Sequence, residues 1–427
     1  MKLYTTEEAM VALSHTVADT LKTVTARGVE KVPLTNAPGR TLAVDITADR
    51  DQPPFHRAAM DGIAVPDGGA VDVGTTYVRK GVLPAGGDPR VWSQPKAQEC
   101  LEIMTGAAVP DGYGTVIRYE DLSRDKQDGH KKDGQTVFTI SGGSYRGGEN
   151  IHRKGTDFGS GTVLLKAGSR LAAPHLAVLA SSGVVSVPVR PLPSIVILGT
   201  GDELVEPESS PLDHQIRASN TWTIAGELTA WGFPPADHRI HGDNRNDLER
   251  TLKALVDQHD VVLISGAVSR GRYDFIPDIL YEIGVEILVH GVRQRPGKPL
   301  LIGTAGTTTG TTTVMGLPGN PVSSLVSVRR YLVPLLVNQT IEGGMTQYAA
   351  SGFPVTTEDD IDFGPELTWF PVVDIATVGG VAGVRLRHGN GSGDFYHVAG
   401  SAGFIEVPEA RRNMPAGSKV QFFPWGC

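Results

Sequence analysis

Four short segments of the 427-residue chain each follow or precede an apolar run and carry groups suited to binding an anion, a divalent ion or a proton. Gly199-Thr200-Gly201-Asp202-Glu203 comes after the apolar run Ile195–Leu198. Its glycines let backbone N–H groups approach an anion, and its two carboxylates suit Mg2+ or sugar hydroxyls. It also reads as a turn with solvated acids. Ser265-Gly266-Ala267-Val268-Ser269 follows Val261–Ile264 and leads to Asp274. Small hydroxyl residues at a strand end suit phosphate or ribose, and Asp274 either ligates a metal, moves a proton or caps a helix over Phe275–Tyr281. Arg293-Gln294-Arg295-Pro296-Gly297-Lys298-Pro299 packs three cations into six residues between the apolar runs Ile287–Val289 and Leu300–Ile302, which favours a pocket rim over a solvated face. Gly316-Leu317-Pro318-Gly319-Asn320-Pro321-Val322-Ser323-Ser324 opens a helix, with Asn320 as cap, Pro321 in the first position and Ser323 in the first turn. That pattern serves an anion or simply starts the helix.

Two further segments, Pro53–Gly62 with Asp61 and Met104-Thr105-Gly106-Ala107, lie elsewhere. Asp61 before Gly62 reads as an ordinary turn residue. None of the 12 histidines has an HExxH spacing and no GxSxG occurs, which disfavours a zinc enzyme or a serine hydrolase.

The elements that must position these segments change character along the chain. Thr5-x-x-Glu8 forms a capping box, and Met10, Leu13, Val17 and Leu21 predict a helix with one apolar face, for packing against its own domain or a second subunit. Between residues 54 and 150, short β-type runs (Thr76–Lys80, Gln98–Met104, Thr115–Tyr119, Gln135–Ile140) predict a small β-rich domain. Its charged stretch Ser123–Gln135 reads as a solvated loop. From about 193, apolar runs alternate with helices carrying Ile224, Leu228 and Trp231, then Leu248, Leu252, Leu255 and Val256, which predicts a parallel sheet covered on both faces. The last helix of this part runs from about Pro321 to Val337, and the remainder, including Gly380–Leu386 and Gly403–Val407, is β-like.

Composition sets outer bounds. With 52 glycines and 29 prolines among 427 residues, and 40% apolar residues, the chain is loop-rich yet able to build cores. A net charge of −8 disfavours a general nucleic-acid binder. Cys100 and Cys427, the only cysteines, exclude a disulfide framework and fit a reducing compartment. No apolar run reaches membrane-spanning length and residues 1–25 lack a secretory pattern, so the expectation is a cytoplasmic protein with no membrane partner.

In order, PPFHRAAMDGIAV, MTGAAVP, GENIHRKGTDF, TGDELVEP, SGAVSRGRYDF, RPGKP, LPGNPVSS and NGSGDF resemble the motif series of the molybdopterin molybdenumtransferases, the molybdenum insertases of MoeA and gephyrin E-domain type. The resemblance implies a multi-domain α/β plus β fold in a homodimer. It implies a discontinuous elongated N-terminal domain (1–53 and 151–192), a small β-rich domain (54–150), a three-layer α/β/α molybdopterin-binding domain (193–340) and a C-terminal β domain (341–427). It implies insertion of molybdate into adenylylated molybdopterin with Mg2+-dependent release of AMP, and partners that include the adenylyltransferase and apo-molybdoenzymes.

Carried over residue by residue, Asp61, Asp243 and Asp274 are the catalytic positions, and Thr105, Asp157, Glu203, Ser269, Pro318, Pro321 and Ser323 bind substrate. Arg295, Lys298 and Ser392 face molybdate, while Asp243, Asp274 and Glu203 are the metal ligands. Arg295 stands where lysine is frequent, Ala267 replaces a glycine and His152 an arginine, and no arginine occurs near Leu367–Val372, which leaves molybdate against tungstate open. An adenylyltransferase, which shares the sheet domain, and a non-enzymatic gephyrin-like scaffold are the competing readings.

Overall fold

The computed structural model describes residues 3–123, 136–266, 268, 275–308, 310–340, 344–411 and 413–426. They form two compact units, one of residues 1–44, 167–176 and 185–427, the other of residues 45–166 and 177–184. This division is coarser than the four expected domains.

The first unit is built on a six-stranded sheet. Helix α1 (Thr6–Ala26) precedes it, and its elements follow as β1 (Ile195–Thr200), α2 (Asn220–Ala230), β2 (Asp237–His241), α3 (Arg245–Gln258), β3 (Val261–Ser265), α4 (Ile276–Glu282), β4 (Glu286–His290), β5 (Leu301–Thr307), β6 (Gly310–Leu317) and α5 (Pro321–Ser327). The order across the sheet is β2-β1-β3-β6-β5-β4. Strands β2, β1, β3 and β6 are parallel.

The expectation of a parallel sheet is corrected at its other edge, where β5 runs antiparallel to both β6 and β4. The cause is local: β5 and β6 are joined by a tight turn closed by the Thr307 hydroxyl donating to the Gly310 carbonyl at 3.1 Å. A turn this short allows only an antiparallel pair.

Alternation along the strands sends side chains to two cores. Ile195, Ile197, Val261 and Leu263 pack with Ile224 and Leu228 of α2 and with α1, while Val196, Leu198, Val262 and Ile264 pack with Leu248, Leu252 and Ile279 of α3 and α4. The result is the expected helix–sheet–helix sandwich.

Helix α1 begins with the capping box read from the sequence: the Glu8 N–H donates to the Thr5 hydroxyl at 3.0 Å and the Thr5 N–H to the Glu8 carboxylate at 2.8 Å. Its apolar face, Ala9, Leu13, Val17, Leu21 and Val24, joins the first of these cores. The Thr20 and Thr313 hydroxyls share a buried 2.9 Å hydrogen bond with β6. The expected division puts this helix in a separate N-terminal domain; its stripe is covered by the sheet.

The helix from Pro321 continues through a wider turn at Val328–Leu332 into Val333–Thr340. A closed five-stranded barrel then follows, formed by Phe353–Thr357, Val372–Val378, Val381–Leu386, Gly403–Glu406 and Lys419–Pro424.

The second unit is the β-rich part. Its six-stranded sheet runs Tyr113–Arg118, Gly62–Pro66, Glu99–Ile103, Thr76–Leu83, Val137–Ile140 and Leu122–Ser123 in spatial order. Ile63, Val65 and Ile117 fill one core, Ala64, Leu101 and Val116 another. All but the first residue of the charged stretch read as a loop, 124–135, lies outside the described residues. Among the described residues, no helix is long and apolar enough to cross a membrane.

Candidate active site

A cavity of about 830 Å³ opens at the carboxyl ends of β1 and β3. From β1 the chain steps to one side of the sheet for β2 and returns to the other side for β3, and open α/β sheets bind ligands at such a reversal. The walls are the glycine turn after β1, the end of β3 and the start of α5.

The turns are laced together. The Gly201 N–H donates to the His241 carbonyl at 3.1 Å. The Asp243 N–H donates to the Asp202 carboxylate at 2.8 Å, which places Asp243 on the wall beside Glu203. Gly266, with φ at +105°, brings the β3 end so close that a Cβ there would sit 2.5 Å from the Thr200 carbonyl oxygen. Only glycine allows both the conformation and the approach.

The Asn220 side chain at the start of α2 donates to the Ser265 hydroxyl at 2.8 Å and to the Gly319 carbonyl at 2.7 Å, joining three loops at the cavity floor. Thr200 lines the cavity, is 5% exposed, and its hydroxyl has no hydrogen-bond partner among the described residues. Buried hydroxyls are normally satisfied, so an orphan in a cavity wall marks a place for a ligand atom or a water.

Of the predicted residues, Glu203, Asp243 and Pro321 line this cavity. Ser392 comes from the barrel, and its hydroxyl accepts from the Asn320 side chain at 2.8 Å while its carbonyl accepts the Val322 N–H at 3.2 Å. One of the early donors of α5 is therefore already used. Pro318 and Ser323 are buried and are not lining residues.

Arg295 and Lys298 are exposed and outside the lining. Their loop rests on α5: a Cβ on Gly297 would lie 2.9 Å from the Ser327 hydroxyl and 3.6 Å from the Ser323 carbonyl oxygen. Ser269 and Asp274 lie outside the described residues, and with them the choice between a helix cap and a metal ligand.

A second cluster lies within the other unit. The Thr105 N–H donates to the Asp61 carboxylate at 2.6 Å. Arg57 pairs with His152 across a two-residue ladder, the His152 Nε2 meets the Asp157 carboxylate at 2.9 Å, and the Arg57 guanidinium reaches the His152 Nδ1 at 3.2 Å. Gly106 and Ala107 bond the Ala58 backbone on both sides, so Asp61, Thr105 and Asp157 gather around one strand pair. Asp61 is thus held by more than the ordinary turn expected of an Asp-Gly pair.

The Thr105 N–H, followed by its side chain, holds the Asp61 carboxyl below its usual range. A carboxyl depressed in the folded state stabilises at pH values above its ordinary titration near 3.9 and loses that contribution as pH falls through the folded value. Asp61→Ala therefore melts below the parent at neutral pH, and the Tm gap narrows as pH drops below about 4. Thermal melts across pH check this, and a gap that is constant with pH contradicts it.

Four residues escaped the sequence reading. Asn220 carries a cap-type side chain at a strand-to-helix junction, a signal present in Ser219-Asn220-Thr221. Arg217 and the pair Phe395–Tyr396 line the cavity through loops whose destination no local pattern states.

Comparison with known proteins agrees with the motif series. The MoeA N-terminal region (domain I and II) model matches residues 5–183, and a probable molybdopterin binding domain model matches residues 196–338. A molybdopterin molybdenumtransferase from Synechocystis sp. is 33% identical over 389 residues, spanning 91% of this chain and 93% of its own. The chain belongs to the molybdopterin molybdenumtransferase family.

Membership makes it a transferase of molybdenum cofactor biosynthesis. A relative of the same name from Staphylococcus epidermidis is 27% identical over 410 residues, covering 95% and 94% of the two chains. Among solved structures, a molybdopterin biosynthesis MoeA protein from Pyrococcus horikoshii superposes with a TM-score of 0.69 at 26% identity, over 96% of this chain and 98% of that one.

Proposed function

We propose that the chain inserts molybdate into adenylylated molybdopterin and releases AMP, working as a cytoplasmic homodimer with Mg2+. The observation that carries this reading is the cavity at the β1–β3 reversal. Its wall combines a close backbone approach at Gly266, two carboxylates and a hydroxyl with no hydrogen-bond partner among the described residues. A nucleotide-tagged, polyanionic substrate needs that combination.

Glu203 and Asp243 fit Mg2+ of the kind that shares its shell with phosphate. Among the described residues no group of three His, Cys, Asp or Glu is placed to cage a metal, and Mg2+ ordinarily takes one or two carboxylates plus substrate phosphates and water. Bound there, the ion would neutralise charge developing on the phosphoryl oxygens as AMP leaves. Asp274 is proposed as a further ligand or proton carrier, and Ser269 as a phosphate or ribose contact. Pro318, Pro321 and Ser323 shape the helix-start loop. Arg295, Lys298 and Ser392 would hold the oxyanion, the two cations by charge and Ser392 by its hydroxyl. Asp61, Thr105 and Asp157 are assigned to the same reaction.

The test uses authentic adenylylated molybdopterin with AMP followed by chromatography. AMP appears only when molybdate and Mg2+ are both added, and no ATP is consumed when ATP and molybdopterin are supplied instead. ATP consumption would turn the assignment to an adenylyltransferase, and no release under any condition would favour a scaffold. Sedimentation checks the dimer.

A further inference from the structure

Phe395 and Tyr396 lie next to each other on the barrel loop that carries Ser392, and both line the cavity. Their exposures are 40% and 77%, whereas Phe404, Phe422 and Phe423 of the same barrel are buried. The two rings stack on one another with centroids 4.4 Å apart and planes 24° apart. Displaying two large rings to water forfeits the burial that aromatic side chains usually gain, and this chain is only 6% aromatic.

The loop that presents them is already ordered. The Asp394 carboxylate accepts the Asn390 N–H at 3.0 Å and its side-chain amide at 3.3 Å. The Val398 N–H closes a turn onto the Phe395 carbonyl at 3.0 Å, and Ser392 is pinned to Asn320 and Val322. Rings held this way lose little freedom when a ligand arrives.

The rest of the lining sets Leu204 and Ile216 beside a polar wall made of the Thr200 hydroxyl, which has no partner among the described residues, Arg217 and the close approach at Gly266. A volume of about 830 Å³ is in the range of small-molecule sites and has room for more than a phosphate.

We propose that Phe395 and Tyr396 form a stacking platform for the flat bicyclic ring of a ring-plus-phosphate ligand, the phosphate lying against the polar wall. This rests on the reading that the cavity is the substrate site. The chemistry is shared by a purine nucleotide and a pterin, and the arms of the test separate the two.

Full-length protein is titrated calorimetrically with AMP, ribose 5-phosphate and 6-hydroxymethylpterin, comparing the parent with Tyr396→Ala, Phe395→Ala/Tyr396→Ala and Tyr396→Phe. Stacking on an aromatic side chain predicts that AMP binding weakens about 10-fold or more in the alanine variants. Ribose 5-phosphate binding stays unchanged, and Tyr396→Phe, which keeps the ring, binds AMP as the parent does. Weakened pterin binding with unchanged AMP binding assigns the platform to the pterin and supports stacking equally. Unchanged binding of both ring probes, equal weakening of ribose 5-phosphate, or no binding of either ring probe to the parent overturns the proposal. Ring-dependent AMP binding without molybdate-dependent AMP release would remove the proposed reaction and leave the platform standing.

Discussion

Asp243→Asn slows molybdate-dependent AMP release about 100-fold, while Asp202→Asn changes it only a few-fold. The two aspartates are coupled, yet they differ in what they face. Asp243 is a lining residue and Asp202 is not. Asp202 instead receives the backbone N–H of Asp243 at 2.8 Å.

An asparagine at 243 keeps that backbone donor and the shape of the loop, and removes only the negative charge on the wall. Losing a carboxylate that would hold the Mg2+ neutralising a leaving phosphoryl group costs on the order of several kcal/mol of transition-state stabilisation, and about 2.7 kcal/mol is a 100-fold change in rate. An asparagine at 202 still offers a carbonyl to the Asp243 N–H, so the buttress survives. Single-turnover measurements at saturating Mg2+ and molybdate check both variants. Parent-like turnover by a folded Asp243→Asn protein would remove this carboxylate from the mechanism.

Arg329→Met destabilises the first unit by about 3–5 kcal/mol, the scale for breaking a buried ionic group by removing one partner. Arg329 is fully buried in the wide helical turn Val328–Leu332, where an extra residue per turn is accommodated. Its guanidinium donates to the Pro424 carbonyl at 2.6 Å and to the Ala350 and Ala349 carbonyls at 2.8 Å each. It also lies 4.5 Å from the Trp231 ring centroid and 3.6 Å from the Glu227 carboxylate.

Burial pushes the Arg329 group down to about 10 and the Glu227 carboxyl upward, so the arginine stays charged at neutral pH. Glu227 in turn accepts from the Trp231 indole at 2.8 Å and from the Gly426 N–H at 3.1 Å. This knot joins α2, the helix after α5 and the last barrel strand. Methionine fills much of the volume but takes the guanidinium away from the Pro424, Ala349 and Ala350 carbonyls and leaves the Glu227 carboxylate without its counter-ion. Adding Glu227→Gln recovers part of the loss by removing the stranded charge. Urea unfolding followed by tryptophan fluorescence reads both, and a loss below 1 kcal/mol for Arg329→Met would show the knot to be dispensable.

Much of the framework was legible because its causes are local. The capping box at Thr5 and Glu8, the Leu248–Val256 stripe of α3 and the apolar runs of β1 and β3 each announce an element within a few residues, and each forms where expected. The motif series carried the family and, through it, Asp243, which no pattern of spacing singles out. Glycine turns after apolar strands were readable as close-approach points for the same local reason.

What the chain reads locally does not say where distant segments meet. The antiparallel turn of β5 against β6 follows from one short connection between Thr307 and Gly310. Seating α1 on the sheet depends on which apolar surface remains uncovered once the other helices have packed. The arrival of Ser392 at Asn320, and of Phe395 and Tyr396 at the cavity, requires a barrel loop 72 residues beyond Asn320 to dock there. The sequence alone determined the helices, strands, glycine turns and family, since periodicity, capping and backbone freedom act between near neighbours. The tertiary structure alone decided which carboxylates, hydroxyls and rings share one cavity, since that depends on the closure of long loops and the competition of apolar faces for cover.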